Sequence, residues 1–170
     1  RLQTMRDAIG WSYDLLTPED RAAFRRLALF SGSFSLDVAM EIAGDGAFDV
    51  LEGVSSLIDK SLVLRTDRDD GTSRFRMLET IREFGLLQLH EAGDYPHASE
   101  RFLDYYAGLA KASVLAMVGP EQTVWMQNLD DEIANLRLAM TIALEQGAAG
   151  APKGLQIASG LWRFWLSRGQ

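Results

Sequence analysis

Apolar side chains recur every three or four positions over the first 60 residues, which is the pattern of amphipathic helices. Thr17 and Pro18 predict a helix start, because a threonine oxygen accepts from free amides and proline suits the first helical position. Ser35 and Gly44 are expected to begin and end a further helix. The predicted helices cover 2–16, 18–30, 36–43 and 48–60. Their expected buried positions include Leu2, Met5, Ile9, Tyr13, Leu16, Phe24, Leu27, Val50, Leu51, Val54, Leu57 and Ile58.

The period then changes from helical to alternating. Residues 61–66 and 73–78 are predicted to be two short strands, joined by a hairpin in which Gly71 takes a positive φ. Arg74 and Arg76 alternate with apolar neighbours, as in a hairpin with one solvent-exposed face. Helices followed by one small hairpin, in this order, predict a winged helix.

The second half has a helical pattern throughout. Predicted helices cover 79–92, 97–117, 121–146 with a bend near Asp130, and 153–167. The first of them carries Ile81, Phe84, Leu87 and Leu89, enough apolar surface to pack on the preceding core. We therefore predict a mainly α chain. A winged-helix domain with a small two-stranded wing and a trailing connector helix covers 1–93, and antiparallel, TPR-like helices begin a repeat region over 94–170.

The charge balance bears on the expected partners. The formal net charge is −7, and there is no cysteine. The predicted helix before the wing offers Asp49, Glu52 and Asp59 against Lys60. Four wing arginines (65, 68, 74 and 76) stand beside three aspartates (67, 69 and 70). Because nucleic-acid affinity depends largely on neutralising phosphates, we expect no direct nucleic-acid partner. The sequence shows no membrane segment or signal peptide, and a cytoplasmic location is expected.

Catalytic and metal chemistry have weak support. His90 and His97 flank a predicted loop and are expected to be surface residues. Asp130, Asp131 and Glu132 are expected to form a solvated helix start, since adjacent carboxylates on one turn do not converge on one ion. Trp162 and Trp165 share a helix face with Leu161, which predicts core packing. No catalytic residue and no metal site are predicted.

Three stretches together resemble bacterial STAND ATPases, the signal-transduction class that includes NB-ARC proteins. They are TMRDAIGWSYDLLTPEDRAAFRRLALFSGSFSL at 4–36, LIDKSLVLR with FRMLETIREFG at 57–65 and 75–85, and NLDDEIANLRLAMTIALEQG at 128–147. The first is similar to the start of the family's winged helix. The last resembles the entry to the helical sensor region of large LuxR-type and antibiotic-regulatory proteins. Both chain ends are expected to be boundaries within a longer protein.

The resemblance implies a non-catalytic regulatory fragment of a transcriptional regulator. It would couple downstream helical repeats, which receive an inducer or protein signal, to an upstream nucleotide-binding module that holds ADP or ATP in the parent protein. The phosphate loop G-x-x-x-x-G-K-[ST] is absent from this sequence, so no cofactor is expected here. Met77-Leu78-Glu79 stands where the family has a nucleotide-contacting Met-His-Asp motif, with a plain structural role as the alternative. The alternative functions are an independent DNA-binding winged helix and a protein-interaction scaffold.

Overall fold

The fold is mainly α, as predicted, with one small antiparallel sheet. A computed structural model describes residues 2–44 and 49–168, with side chains described from Arg6 onward. The elements are α1 (Leu2–Asp14), α2 (Pro18–Leu27), α3 (Leu36–Ala43), α4 (Val50–Asp59), β1 (Leu64–Asp67), β2 (Ser73–Arg76), α5 (Glu79–Glu91), α6 (Tyr95–Ala116), α7 (Gln122–Asp131), α8 (Ile133–Glu145) and α9 (Ala151–Arg168). The side-chain predictions for Leu2 and Met5 and the predicted start of a helix at Phe48 lie outside the described residues.

The chain divides into two compact units, residues 1–98 and 99–170, at a boundary within α6. The first unit contains a winged helix, and the second contains only helices among its described residues. Over the described residues, no helix is both long and apolar enough to cross a membrane.

The predicted caps of α2 and α3 are confirmed. Thr17 Oγ1 accepts from the Asp20 amide at 3.1 Å, and Ser35 Oγ accepts from the Val38 amide at 3.3 Å. Each hydroxyl satisfies an amide that the first helical turn leaves without a backbone partner. The α4 prediction was partly wrong, because Leu51 is 56% exposed. This leucine lies at the side of the α4 stripe, whose buried members are Val50, Gly53, Val54 and Leu57.

Helix α5 packs on the winged-helix core, as predicted. A Cβ on Gly85 would lie 2.5 Å from Ala28 Cβ, so only glycine permits this approach of α5 to α2. Phe84 stacks edge-on against Tyr13, with ring centroids 5.6 Å apart. The prediction for Leu87 was wrong, since it is 52% exposed. The buried α5 stripe contains Ile81, Gly85 and Leu89, and Leu87 lies on the opposite side of the helix.

The hairpin is shorter than predicted and is attached to the core by its second strand. The amides of Leu62 and Val63 donate to the Leu57 carbonyl, so the chain stays with the end of α4 before β1 begins. Phe34 and Phe75 exchange two backbone hydrogen bonds of 2.8 Å, and their rings stack at 6.1 Å. Gly71 takes the expected positive φ, +82°, in the turn.

In the second unit, α9 runs parallel to α6. Lys153 pairs with Asp104 at 2.6 Å and also with Glu100, and further along α9 Gln156 donates to the Ala107 carbonyl at 2.9 Å. A Cβ on Gly160 would lie 2.3 Å from the Ala110 carbonyl oxygen, so the two helix backbones lie close together at this residue. Helix α8 packs against α9 after a short turn.

A buried polar cluster separates α7 from α8. Glu132, only 5% exposed, accepts from the Tyr106 hydroxyl at 2.6 Å and from the Asn135 side-chain amide at 2.9 Å. The expectation of a solvated helix start was therefore wrong for Glu132, because the break between the helices turns its carboxylate inward. The neighbouring Asp130 pairs with Arg168, and Asp131 accepts from Gln127.

The aromatic residues near the end of α9 are arranged differently from the prediction. Phe164 is buried, together with Ile157 and Leu161, whereas Trp162 is 48% exposed and Trp165 is half-buried. The prediction of core packing was wrong for Trp162. The buried α9 stripe is centred on Leu161 and Phe164, and Trp162 lies one residue beyond it, on the flank.

Replacing Phe84 with alanine should destabilise the chain by about 2–4 kcal/mol, because it empties an aromatic site that is only half-buried. The matched control is Leu87→Ala on the same helix, which should cost less than about 1 kcal/mol because its side chain is exposed. Urea unfolding of both variants measures the two values. Equal losses would contradict the assigned orientation of α5.

Replacing Tyr106 with phenylalanine should destabilise the second unit by about 1–3 kcal/mol, the cost of removing a hydrogen bond from a buried acceptor. Ser159→Ala is the control, since that exposed hydroxyl bonds only to the Gln156 carbonyl of its own helix. Thermal unfolding followed by circular dichroism compares the variants. A Tyr106→Phe chain as stable as the control would show that the hydrogen bond from Tyr106 to Glu132 adds nothing to stability.

Candidate nucleic-acid interface

The exposed side of α4 is acidic. In a helix-turn-helix the second helix enters the major groove, and α3 and α4 occupy those two positions here. The exposed positions of α4 are Leu51, Glu52, Ser55 and Asp59. None of these side chains carries a positive charge, so this face would approach DNA phosphates with electrostatic repulsion.

The N-terminus of α4 is already capped by a carboxylate. Asp49 Oδ1 accepts from the amide of Leu51 at 2.8 Å and from that of Glu52 at 3.3 Å. Free amides at a helix N-terminus are a common phosphate site. Here an acidic side chain takes that position, which weakens the case for a phosphate contact at this end of α4.

The one basic residue at the end of α4 has partners within the chain. Lys60 Nζ donates to Ser56 Oγ at 2.8 Å, and the Ser56 hydroxyl donates to Asp20 Oδ2 at 2.7 Å. This chain of hydrogen bonds places the ammonium group close to an α2 carboxylate. It therefore adds little positive field in front of α4.

The register of the wing separates its charges between two faces. Leu64 pairs with Arg76 and Thr66 with Arg74, so these four side chains share one face. The other face carries Arg65, Asp67, Ser73 and Phe75. The face defined by Thr66, Arg74 and Arg76, here called the arginine face, therefore carries two positive charges and no carboxylate.

Within the arginine face the two guanidinium groups differ in exposure. Arg74 is half-buried and donates to Ser33, to the hydroxyl at 3.1 Å and to the carbonyl at 2.7 Å. Arg76 is exposed, and within the part of the chain that the structure describes no carboxylate pairs with it. Arg74 thus anchors the wing to the core, while Arg76 projects a charge into solvent.

Two of the wing aspartates, Asp67 and Asp70, accept hydrogen bonds from neighbouring residues of the hairpin. Hydrogen bonds from the Ser73 hydroxyl and then from Arg65 lower the pKa of Asp67. Asp70 accepts from the hydroxyl and amide of Thr72, which lowers its pKa as well. Both carboxylates are therefore ionised at neutral pH. Asp67 lies on the face opposite Arg76, and Asp70 lies in the turn at the end of the hairpin. Counting charges along the sequence missed this separation, although strand alternation with the hairpin register could have found it.

The triplet Met77-Leu78-Glu79 connects the wing to α5. Met77 is buried, and Leu78 is 47% exposed at the N-cap position of α5, where it makes no side-chain cap bond. Glu79 accepts from Arg82 at 3.0 Å, a hydrogen bond that lowers the pKa of this carboxyl. As these residues stand they do not fit a phosphate group, since none offers a side-chain donor and Glu79 is negatively charged. Their nucleotide-sensing role stays a prediction.

The remaining polar candidates show no converging arrangement. His90 is exposed and stacks on the Tyr95 ring with centroids 4.0 Å apart, and His97 is exposed. Within residues 2–44 and 49–168, no group of three His, Asp or Glu side chains is placed to hold a metal ion.

The architecture is that of a winged helix followed by further helices, and comparison with known proteins agrees. Residues 16–90 match the family model described as a winged helix-turn-helix domain. The chain is 38% identical over 172 residues to the "Putative HTH-type transcriptional regulator Rv0890c" of Mycobacterium tuberculosis and to its Mycobacterium bovis counterpart Mb0914c. These alignments cover 99% of this chain and 19% of each relative. The "Uncharacterized protein Rv0894" of Mycobacterium tuberculosis is 34% identical over 96 residues, covering 54% of this chain and 24% of that protein. No solved structure matches significantly.

Residues 16–90 are therefore similar to a winged helix-turn-helix domain, and the chain is similar along its length to a segment of regulators described as HTH-type. This chain spans about a fifth of the length of the curated relatives Rv0890c and Mb0914c. These findings overturn the expectation that the chain has no direct nucleic-acid partner, because the helix-turn-helix domain and the regulators it resembles point to DNA binding. That expectation counted the wing aspartates as lying beside all four wing arginines and so missed the arginine face.

Proposed function

We propose that this chain is the winged helix-turn-helix module of a transcriptional regulator and that it contacts the DNA backbone through the arginine face of its wing. The observation that carries the proposal is the hairpin register, which places Arg74 and Arg76 together on a face without carboxylates. Arginine binds phosphate in a bidentate manner, and Thr66 on the same face adds a hydroxyl donor.

Because the exposed face of α4 is acidic, the wing rather than α4 is the surface that would face the DNA phosphates in this proposal. If α4 faced the duplex, Glu52 and Asp59 would lie towards the phosphates. If the wing faces the duplex, Arg76 lies towards them instead. Contacts of guanidinium groups with phosphates position a protein on the duplex but carry no sequence information by themselves. We therefore expect weak, salt-dependent binding by this module, with sequence preference depending on other parts of the longer protein.

Replacing Arg76 with alanine should weaken binding to a random-sequence duplex and lower the slope of log K against log salt by about 1, since one phosphate contact is lost. Asp49→Asn should instead strengthen binding to the duplex, because asparagine keeps the α4 cap while removing a negative charge from the first unit. Fluorescence anisotropy over a salt series measures the effects of both variants on binding. The series starts at about 50 mM, because non-specific binding weakens steeply as the salt concentration rises.

The matched control is Lys111→Ala, which removes an exposed positive charge from the second unit. Its salt slope should equal that of the unmodified chain. If Arg76→Ala and Lys111→Ala lower binding by the same amount, the wing is not the contact and only general electrostatics remains. Absence of measurable binding at low salt would reject the DNA contact outright.

A second candidate function is coupling to an upstream nucleotide-binding module of a STAND-type ATPase, with ADP or ATP held by that module in the parent protein. The observation that favours it is Leu78, an apolar and half-exposed residue at an N-cap position that normally holds Ser, Thr, Asp or Asn. A residue so poorly suited to capping α5 is consistent with an apolar contact to another module. In this proposal the second unit begins a TPR-like array that receives the signal, and the parent protein works in the cytoplasm.

Replacing Leu78 with serine should stabilise the isolated chain by about 0.5–1 kcal/mol, because the new hydroxyl can cap α5. In the full-length parent protein the same change should alter nucleotide affinity, if an apolar contact with the upstream module is lost. Thermal unfolding and nucleotide titration measure the two effects. Destabilisation of the isolated chain would show that Leu78 serves this fold alone, and an unchanged nucleotide affinity would reject the coupling.

A further inference from the structure

An open groove of about 730 Å³ lies between α1 and α5, on a different part of the first unit from the wing. Its apolar lining comes from Gly10 and Trp11 of α1 and from Phe84 and Leu87 of α5. A Cβ on Gly10 would meet no atom within 4 Å, so the α1 side of the groove is open at this residue. We call this feature the α1–α5 groove.

Two of the apolar side chains that line the groove are exposed to solvent. Trp11 is 74% exposed and Leu87 is 52% exposed, and Leu15, one turn after Trp11 along the chain, is 78% exposed. The cost of leaving a tryptophan and two leucines in water is normally avoided unless another surface covers them. Tryptophan is also the residue type most enriched among the dominant contacts of protein interfaces.

The rim of the groove is negatively charged. Among the described residues that line it, Asp7, Asp14 and Glu83 are acidic and Arg6 is basic. The Asp14 side chain is 73% exposed and lies 4.0 Å from Arg21. An ion pair of this length and exposure is weak, so the Asp14 carboxylate still contributes negative charge to the rim. The groove therefore combines an apolar floor with a net acidic border.

We propose that the α1–α5 groove binds a basic amphipathic helix of a partner protein, whose bulky apolar side chains cover Trp11 and Leu87 while its Lys or Arg side chains face Asp14 and Glu83. Two helices with a depression between them present the geometry into which a third helix packs its apolar stripe. The acidic rim selects a partner of positive charge. A second copy of this chain is a poorer occupant, because each copy carries a net charge of −7.

The test uses the whole 170-residue chain and a fluorescently labelled helical peptide of about 15 residues, long enough to form roughly four helical turns, built from Leu and Lys at amphipathic spacing. We expect saturable binding that Trp11→Ala weakens by about tenfold, as expected when a central aromatic anchor is lost. Gly10→Lys should also block binding, because its side chain fills the groove and repels the peptide. The double variant Asp14→Asn, Glu83→Gln should reduce both affinity at low salt and the salt dependence.

The matched control is Trp162→Ala, which removes another exposed tryptophan from α9 in the second unit and should leave peptide affinity unchanged. A peptide of the same pattern with Glu in place of Lys should not bind. Equal weakening by Trp11→Ala and Trp162→Ala, or equal binding of the acidic peptide, would overturn the proposal. It would also be overturned if sedimentation showed a dimer of the unmodified chain that Trp11→Ala abolishes, since the groove would then hold a second copy.

Discussion

The backbone pairing of Phe34 with Phe75 is the contact on which the functional surface of the first unit depends. Two hydrogen bonds of 2.8 Å attach β2 to the segment between α2 and α3, and the stacked rings bury this junction against Phe30. Because β2 is held there, the β1–β2 register determines which wing side chains face solvent. A shift of one residue would exchange the two faces and would turn Phe75 outward in place of Arg76.

The arrangement of charge, rather than its total, distinguishes the surfaces of this protein. Acidic positions on α4 and around the α1–α5 groove contribute to the net charge of −7, while the arginine face of the wing carries positive charge. At physiological salt, charges more than about 8 Å apart are largely screened from each other in solvent. A small basic face can therefore contact a phosphate backbone on a chain whose overall charge is acidic.

The second unit shows how hydrogen bonds accommodate a buried carboxylate. Glu132 lies at the break between α7 and α8 and accepts hydrogen bonds from Tyr106 on α6 and from Asn135 on α8. A carboxylate removed from water is tolerated when donors replace its hydration. The cluster links α6 to the start of α8, and the close approach of Gly160 to Ala110 brings α9 against α6.

Local sequence signals determined most of the secondary structure. The capping residues Thr17, Ser35 and Gly44 and the turn at Gly71 act on their own neighbourhood, so their effects could be predicted from the sequence. The buried stripes were less predictable, because several apolar residues lie near the edge of a helix face and packing alone decides their burial. Leu51 and Trp162 are exposed for that reason, and Leu87 is exposed because it lies on the side of α5 opposite the buried stripe. Glu132 is buried because donors from other parts of the chain reach it. The candidate interface also depended on tertiary structure, since strand register decides which wing charges share a face, and a charge count along the sequence contains no such information.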